Sequence, residues 1–448
     1  MVLLIMNLKN KIIVWKLLIL FLSVAAVQTC SAQPTWNLER CLQYAASHNK
    51  DLIISRQQIA LAAMDVSQSK AKLLPTVTGS ASLDHYWQIP VQVFPGELVG
   101  RPQGSFIPVR LGTPWMGNAG LQADLSLIDA AGWKQIKIRI LESQLKAAQN
   151  FSKEKLIAKN VRMAYYSAML SDEDYHAAVA RLEDFKESDR LITLNFEKGI
   201  TDQIAVNQSI SLLEELSDDV SRSQATHQQS LLDLKFWMGF PLADYIQLAG
   251  DNIPLAENKP GATFNAALTP DFTSDSLMVE RASASLDESR AALYPKLSVV
   301  SGYSKLGFGS EASFIMRSKW FSSGYVGLRL SIPVFDMPQM HYRLRKDKQS
   351  AVLAIAERDA SVSDGNNAFL SAKVAYSRAM QELGSLQRKE VLARDNVRLS
   401  SKKLEKGIID MIELKQLQDE LTLTRRRRLI AQLQCIMQMV ELEYLQGN

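Results

Sequence analysis

Hydrophobic positions along this chain follow two periods. In 77–87 the odd positions are Val77, Gly79, Ala81, Leu83, His85 and Trp87, and the even ones are Thr78, Ser80, Ser82, Asp84 and Tyr86. The stretch 115–127 alternates in the same way, as does 320–332, where Val326, Leu328, Leu330 and Ile332 interleave with Tyr325, Gly327, Arg329 and Ser331. The stretch 296–308 alternates less cleanly, through Leu297, Val299, Ser301 and Tyr303. Period two predicts four strands, each with one apolar and one polar face. Elsewhere the period is helical. Ile430, Leu433, Met437, Val440 and Tyr444 step by threes and fours, as do Tyr175, Val179 and Leu182. Such stripes are seams for neighbouring helices.

Prolines mark where the helices run. None falls in 35–74, 115–240, 271–294 or 339–448, and glycine is absent from 133–198. A proline inside a helix costs about 3 kcal/mol, so these gaps predict long helices. An unbroken helix over 133–198 spans roughly 100 Å, a length typical of coiled coils. In the second half, Gly365, Gly384 and the Asp-Gly-Asn-Asn string at 364–367 predict a break or bulge. The stretch 88–114 holds five prolines and cannot be regular strand throughout. It is predicted to be a long loop facing the cell exterior.

The chain repeats itself. FEKGITD at 196–202 and LEKGIID at 404–410 lie 208 positions apart, and that offset also places Phe236 on Tyr444 and Gly239 on Gly447. LLPTVTGSASL at 73–83 answers LYPKLSVVSGY at 293–303. Each half therefore reads helix, strand, strand, very long helix, turn, helix, an internal duplication. Gly199 and Gly407 are expected to close the long helices in the left-handed conformation. Asp202 and Asp410 are expected to cap the helices that follow, and Asp410 with Glu413 has capping-box spacing. The segments are then a leader (1–32), a first helix (33–74), a first hairpin (75–129), a long helix with its return helix (130–240) and a linker (241–272). The second half adds a helix (273–295), a hairpin (296–336) and a second long helix with its return (337–448).

Composition narrows the function. A net charge of +4 with no basic patch among aromatics does not point to nucleic acid. Lys9, Lys11 and Lys16 flank or enter an apolar run over 12–27 that ends near Cys30-Ser31-Ala32. That pattern predicts a cleaved signal peptide, the alternative being a lipidated Cys30. Cys41 and Cys435 are read as small core residues, since two cysteines make no disulfide framework. Five histidines without ligand spacing, and no nucleophile or phosphate-binding motif, predict no metal, no cofactor and no enzyme. Arg425-Arg426-Arg427-Arg428 is read as a solvated basic face. The alternative is pairing with the pseudo-equivalent Ser217-Asp218-Asp219-Val220.

Alternating segments of about ten residues with aromatics near their ends are typical of membrane β-barrels. The smallest known barrel has about eight strands, so four cannot close one and several chains would have to share it. A soluble two-hairpin sheet on a periplasmic coiled-coil scaffold is the alternative.

The ordered set of a leader, duplicated halves, Leu-Leu-Pro or Leu-Tyr-Pro before each hairpin and a glycine turn in each copy resembles the TolC-like outer membrane factor family. WNLERCLQYAASHN at 36–49 and LSIPVFD at 330–336 resemble it too. The resemblance covers essentially the whole chain after the leader. It implies a mainly α fold with a small membrane β part, in which three chains form an α-barrel tunnel continuous with a 12-stranded β-barrel. It also implies an outer-membrane location in a Gram-negative cell, contact with outer membrane lipid, and partnership with a periplasmic adaptor (membrane fusion) protein and an inner-membrane pump. The implied cargo is small toxic molecules, with one-step protein secretion as the alternative. The implied adaptor contacts are Lys198, Gly199, Ile200 and Thr201, with Lys406, Gly407, Ile408 and Ile409. The implied periplasmic gate falls on Glu413 and Gln416. Only the first is acidic, and Glu413 reads equally as the capping partner of Asp410.

Overall fold

The structure is a computed structural model that describes residues 35–250, 263–313, 319–334, 337–405 and 411–447. The leader, with Cys30, and the second turn from Lys406 to Asp410 lie outside the described residues. The chain is mainly helical with a small strand part. The elements are α1 (Leu38–His48), α2 (Lys50–Ala71), β1 (Thr76–His85), β2 (Val91–Pro95), β3 (Phe106–Arg110), β4 (Trp115–Ile128), α3 (Ala130–Glu197) and α4 (Gln203–Met238). After these come α5 (Phe272–Ala291), β5 (Lys296–Gly309), β6 (Trp320–Ser331), α6 (Met337–Glu405) and α7 (Met411–Leu445). They gather into two units. One holds the described parts of Met1–Lys50, Leu156–Pro260 and Lys373–Glu441, and the other those of Asp51–Lys155, Gly261–Ala372 and Leu442–Asn448.

The expected break in the second long helix is not there. α6 runs unbroken for 69 residues, through Gly365 and Gly384, much as α3 runs for 68. The reason lies far away in sequence. A Cβ on Gly365 would stand 3.1 Å from the ring of Phe264, which also packs 5.9 Å from Phe369. Glycine within a helix costs about 1 kcal/mol relative to alanine. Here its bare surface makes room for an aromatic ring, and the packing offsets the propensity.

In the first unit, helix faces meet around Val161, Tyr165, Leu212, Leu216, Leu234, Met238, Ile436 and Val440, all buried. Cys41 and Cys435 are free thiols in this core. Burial pushes the Cys435 thiol above its ordinary pKa. Burial, followed by the neighbouring Cys435, does the same to Tyr376. A raised pKa leaves less thiolate at a given pH, and the thiolate is the reactive form. Native protein at pH 8 is therefore expected to leave Cys435 unlabelled by maleimide, and denatured protein to label it fully. Mass spectrometry of the peptides reads the difference.

The duplicated glycines do matching work. Gly239 (φ 70°) ends α4, where a Cβ would stand 2.6 Å from the His48 carbonyl oxygen. Asn49 Nδ2 donates to the Trp237 carbonyl at the same junction, 2.8 Å away. In the second unit Gly447 (φ 80°) abuts the Leu268 backbone in the same manner.

The second unit carries one four-stranded antiparallel sheet in the order β1-β4-β5-β6. β2 and β3 form a separate hairpin inside the loop between β1 and β4. Register sorts the sheet into two faces. Val77 pairs with Ala123 and Leu83 with Gly117, Leu121 with Tyr303 and Leu125 with Val299, and Leu297 with Leu330 and Val299 with Leu328. The apolar phase of every strand thus falls on one face. Thr78, Ser80, Asn118, Gln122, Asp124, Ser298, Ser304 and Arg329 share the other, where Arg329 pairs with Asp124 at 3.5 Å. Two tyrosines lie over glycines on opposite faces, Tyr303 against Gly324 and Tyr325 against Gly302. Such aromatic cover replaces the packing a glycine lacks in a strand. Where β4 passes into α3, Asp129 accepts from the Gly132 N–H (2.8 Å) and from Lys296 Nζ (2.7 Å).

Candidate functional site

The first turn closes as local chemistry dictates. Gly199 takes φ 72°, its N–H donates to the Phe196 carbonyl (2.9 Å), and the Ile200 N–H donates to the Asn195 carbonyl (2.8 Å). This pair of bonds is a Schellman closure of α3. Asp202 then accepts the Ala205 N–H through its side chain at 2.9 Å and starts α4. The turn leaves an apolar tip in solvent, with Ile200 71% and Ile204 64% exposed. Lys198 is exposed beside it and Thr201 half-buried. No atom lies within 4 Å of a Cβ placed on Gly199, so only the backbone resists a side chain there. Gly199→Val is expected to cost about 1–2 kcal/mol in chemical denaturation, the penalty of the left-handed conformation for an L-residue.

The second turn, including Lys406, Gly407, Ile408, Ile409 and Asp410, lies outside the described residues. Glu413 and Gln416 are described, one turn apart on the same face of α7. Both are exposed, while Leu414 between them is buried.

The four arginines correct the sequence reading. They are not a solvated basic face. Arg426 reaches Asp174 on α3 (3.2 Å) and Asp219 on α4 (3.3 Å). Arg428 meets Glu173 on α3 (2.9 Å) and stands 2.6 Å from Glu390 on α6, an ionic contact without hydrogen-bond alignment at Nε. Arg425 lies 3.7 Å from Glu173, and Arg181 bonds Asp419 at 2.5 Å. Arg427 is exposed and among the described residues makes no such link, while the Arg425 side chain remains 43% exposed. α7 is thereby tied to α3, α4 and α6 by charge. The most buried member is Glu390, with a side chain 9% exposed. Some of these pairs line a cleft of about 330 Å³ in which cations and carboxylates balance. Sequence reasoning found Asp219, through the repeat offset, but missed Glu173, Asp174 and Glu390. Helices that come together only in the fold carry them.

Among the described residues, long paired helices are joined in sequence to a four-stranded sheet that has an apolar face and a polar face, with β1 and β6 as its outer strands. The model for the outer membrane efflux protein family matches residues 41–239 and 266–448. The chain belongs to that family, whose members are channel proteins. Two Pseudomonas aeruginosa proteins are similar over part of their length. The pyoverdine export outer membrane protein OpmQ is 22% identical over 277 residues, covering 60% of this chain and 56% of OpmQ. The alkaline protease secretion protein AprF is 23% identical over 278 residues, covering 60% of this chain and 54% of AprF. The matches thus span little more than half of either relative. Among solved structures, the Campylobacter jejuni CmeC outer membrane channel superposes with a TM-score of 0.74 at 15% identity, covering 92% of this chain and 85% of CmeC. VceC from Vibrio cholerae gives 0.73 at 13% identity, covering 92% and 96%. These likenesses are of fold.

Proposed function

We propose that the chain is one of three protomers of an export channel in the outer membrane, passing small toxic molecules from an inner-membrane pump to the cell exterior. The observation that carries this reading is the sheet. Its four strands share one mainly apolar face, and among the described residues β1 and β6 are its unpaired outer strands. An edge of unpaired backbone in hydrocarbon is not viable, and a barrel closes it. β6 of one copy on β1 of the next supplies that closure, and three copies make twelve strands. The polar face then lines the channel and the apolar face meets lipid. The exposed tip at Lys198, Gly199, Ile200 and Thr201 is the proposed contact for a periplasmic adaptor protein, together with Lys406, Gly407, Ile408 and Ile409 of the second copy of the string. Glu413 and Gln416 are proposed to stand at the periplasmic mouth.

The efflux family description supports a small-molecule cargo. OpmQ's export of pyoverdine agrees with it, whereas AprF's part in protease secretion supports a protein cargo. Light scattering of detergent-extracted protein, with detergent mass subtracted, tests the assembly. A trimer is expected. A stable monomer would leave the sheet unclosed and return the chain to the soluble scaffold reading.

A further inference from the structure

Lys305 stands on the face of the sheet where charge is least expected. Its register partners are Ala119 on β4 and Ser322 on β6, and Ala119 pairs in turn with Ala81 on β1. That row belongs to the apolar face. No carboxylate of the four strands shares this face. The acidic residues of the four strands are Asp84 and Asp124, and both lie in the opposite phase. A second copy that adds its β6 to the free edge of β1 brings no acid either, because β6 contains none. Lys305 is exposed, and among the described residues it forms no ion pair.

Beside Lys305 the face has a shallow, open depression. Gly79, Ala81 and Ala119 carry little or no side chain, and Leu121 closes one end, 3.4 Å from where a Gly79 Cβ would stand. Tyr303 lines the β5 side of this depression, with its ring turned toward β6. Its hydroxyl bonds Ser322 Oγ at 3.2 Å and its ring lies against Gly324, both on β6. The β4 side is thereby left open, with Lys305 and Trp320 at the margin. Tryptophan favours the boundary between hydrocarbon and headgroups. A cation turned toward hydrocarbon is unfavourable unless an anion meets it there.

We infer that this trough and Lys305 hold a membrane lipid, its acyl chain in the trough and its anionic phosphate headgroup on the lysine. The inference rests on the barrel reading, which turns this face to the membrane. It adds a lipid site to a face for which the sequence analysis names no ligand.

The test uses the full chain purified in neutral detergent. Phosphatidylglycerol or phosphatidylcholine is added, and lipid retained per trimer is counted by native mass spectrometry. Wild type is expected to retain phosphatidylglycerol in preference to phosphatidylcholine, and excess inorganic phosphate is expected not to displace it. Lys305→Met is expected to lower retention about fivefold, the scale of one basic residue at an anionic surface. It places an apolar chain on an apolar face, so trimer yield should be unchanged. Lys305→Arg should retain lipid, and Ala119→Leu, which fills the trough but keeps the charge, should lose it. Equal retention by Lys305→Met and wild type at equal trimer content overturns the lipid site and leaves the barrel standing. Displacement by inorganic phosphate overturns it as well. Wild type that is soluble and monomeric without detergent overturns both readings.

Discussion

Val326→Arg is expected to yield monomer in detergent extracts where wild type yields trimer. Val326 sits near the middle of β6, opposite Ser301, on the apolar face, and is 78% exposed. In a closed barrel that position faces the hydrocarbon centre, where an arginine costs about 2–4 kcal/mol. The penalty is paid in each of three copies, so roughly three times that amount opposes assembly. Ser323 supplies the control. It lies three residues away on the polar face and is exposed. Ser323→Arg turns its charge into the channel and should leave the trimer intact. Gel mobility with and without heating, alongside light scattering, reads both variants. If Val326→Arg assembles as well as Ser323→Arg, the two faces are not divided between lipid and water.

The second large effect is expected among the four arginines. Arg428→Ala removes the cation that stands between Glu173 and Glu390. Glu390 is then left buried with Arg394 (2.8 Å), whose own side chain is 69% exposed. Breaking a buried ion pair from one side costs about 3–5 kcal/mol, because the other charge stays desolvated. Part of the Arg428 side chain reaches solvent, so the lower end of that range is expected. Arg427→Ala, one residue earlier and pointing outward, should fall within about 0.5 kcal/mol of wild type. Denaturant midpoints of the two variants make the comparison. Equal midpoints would mean that the four positions act as a solvated stripe after all.

The contrast between these arginines shows where sequence is legible. Period-two alternation marked the four strands of the main sheet and their faces, because each side chain's phase is a local fact that register then multiplies across the sheet, whereas the β2–β3 hairpin lies in a stretch read as loop. The first turn was legible for the same reason. Gly199 and Asp202 act within a few residues of themselves. Gly365 was misjudged because propensity argues only from neighbours, and Phe264 is not a neighbour in sequence. The arginines were misjudged because their carboxylates sit on other helices. Lys305 left a trace that was passed over, a charge in phase with Leu297, Val299 and Tyr303. The candidate adaptor contacts and gate are legible only as a resemblance. The turn geometry explains how they are held, not what they meet.

The strand order has a consequence for how such a wall is built from a duplicated chain. The joint between β4 and β5 links the two halves inside one molecule, and in the proposed trimer a joint between β6 and β1 would link one molecule to the next. In that trimer both would be antiparallel seams between successive hairpins, so the wall would be a ring of six like staves with every second seam made between chains. Fusing the staves in pairs reduces the number of chains that must meet, and it also lets the members of a pair diverge. The first hairpin has done so, inserting β2 and β3 between its strands, while the second has no such insertion among its described residues. In the proposed trimer, tall and short staves would then alternate around the mouth, giving the rim a three-pointed crown in place of six equal teeth.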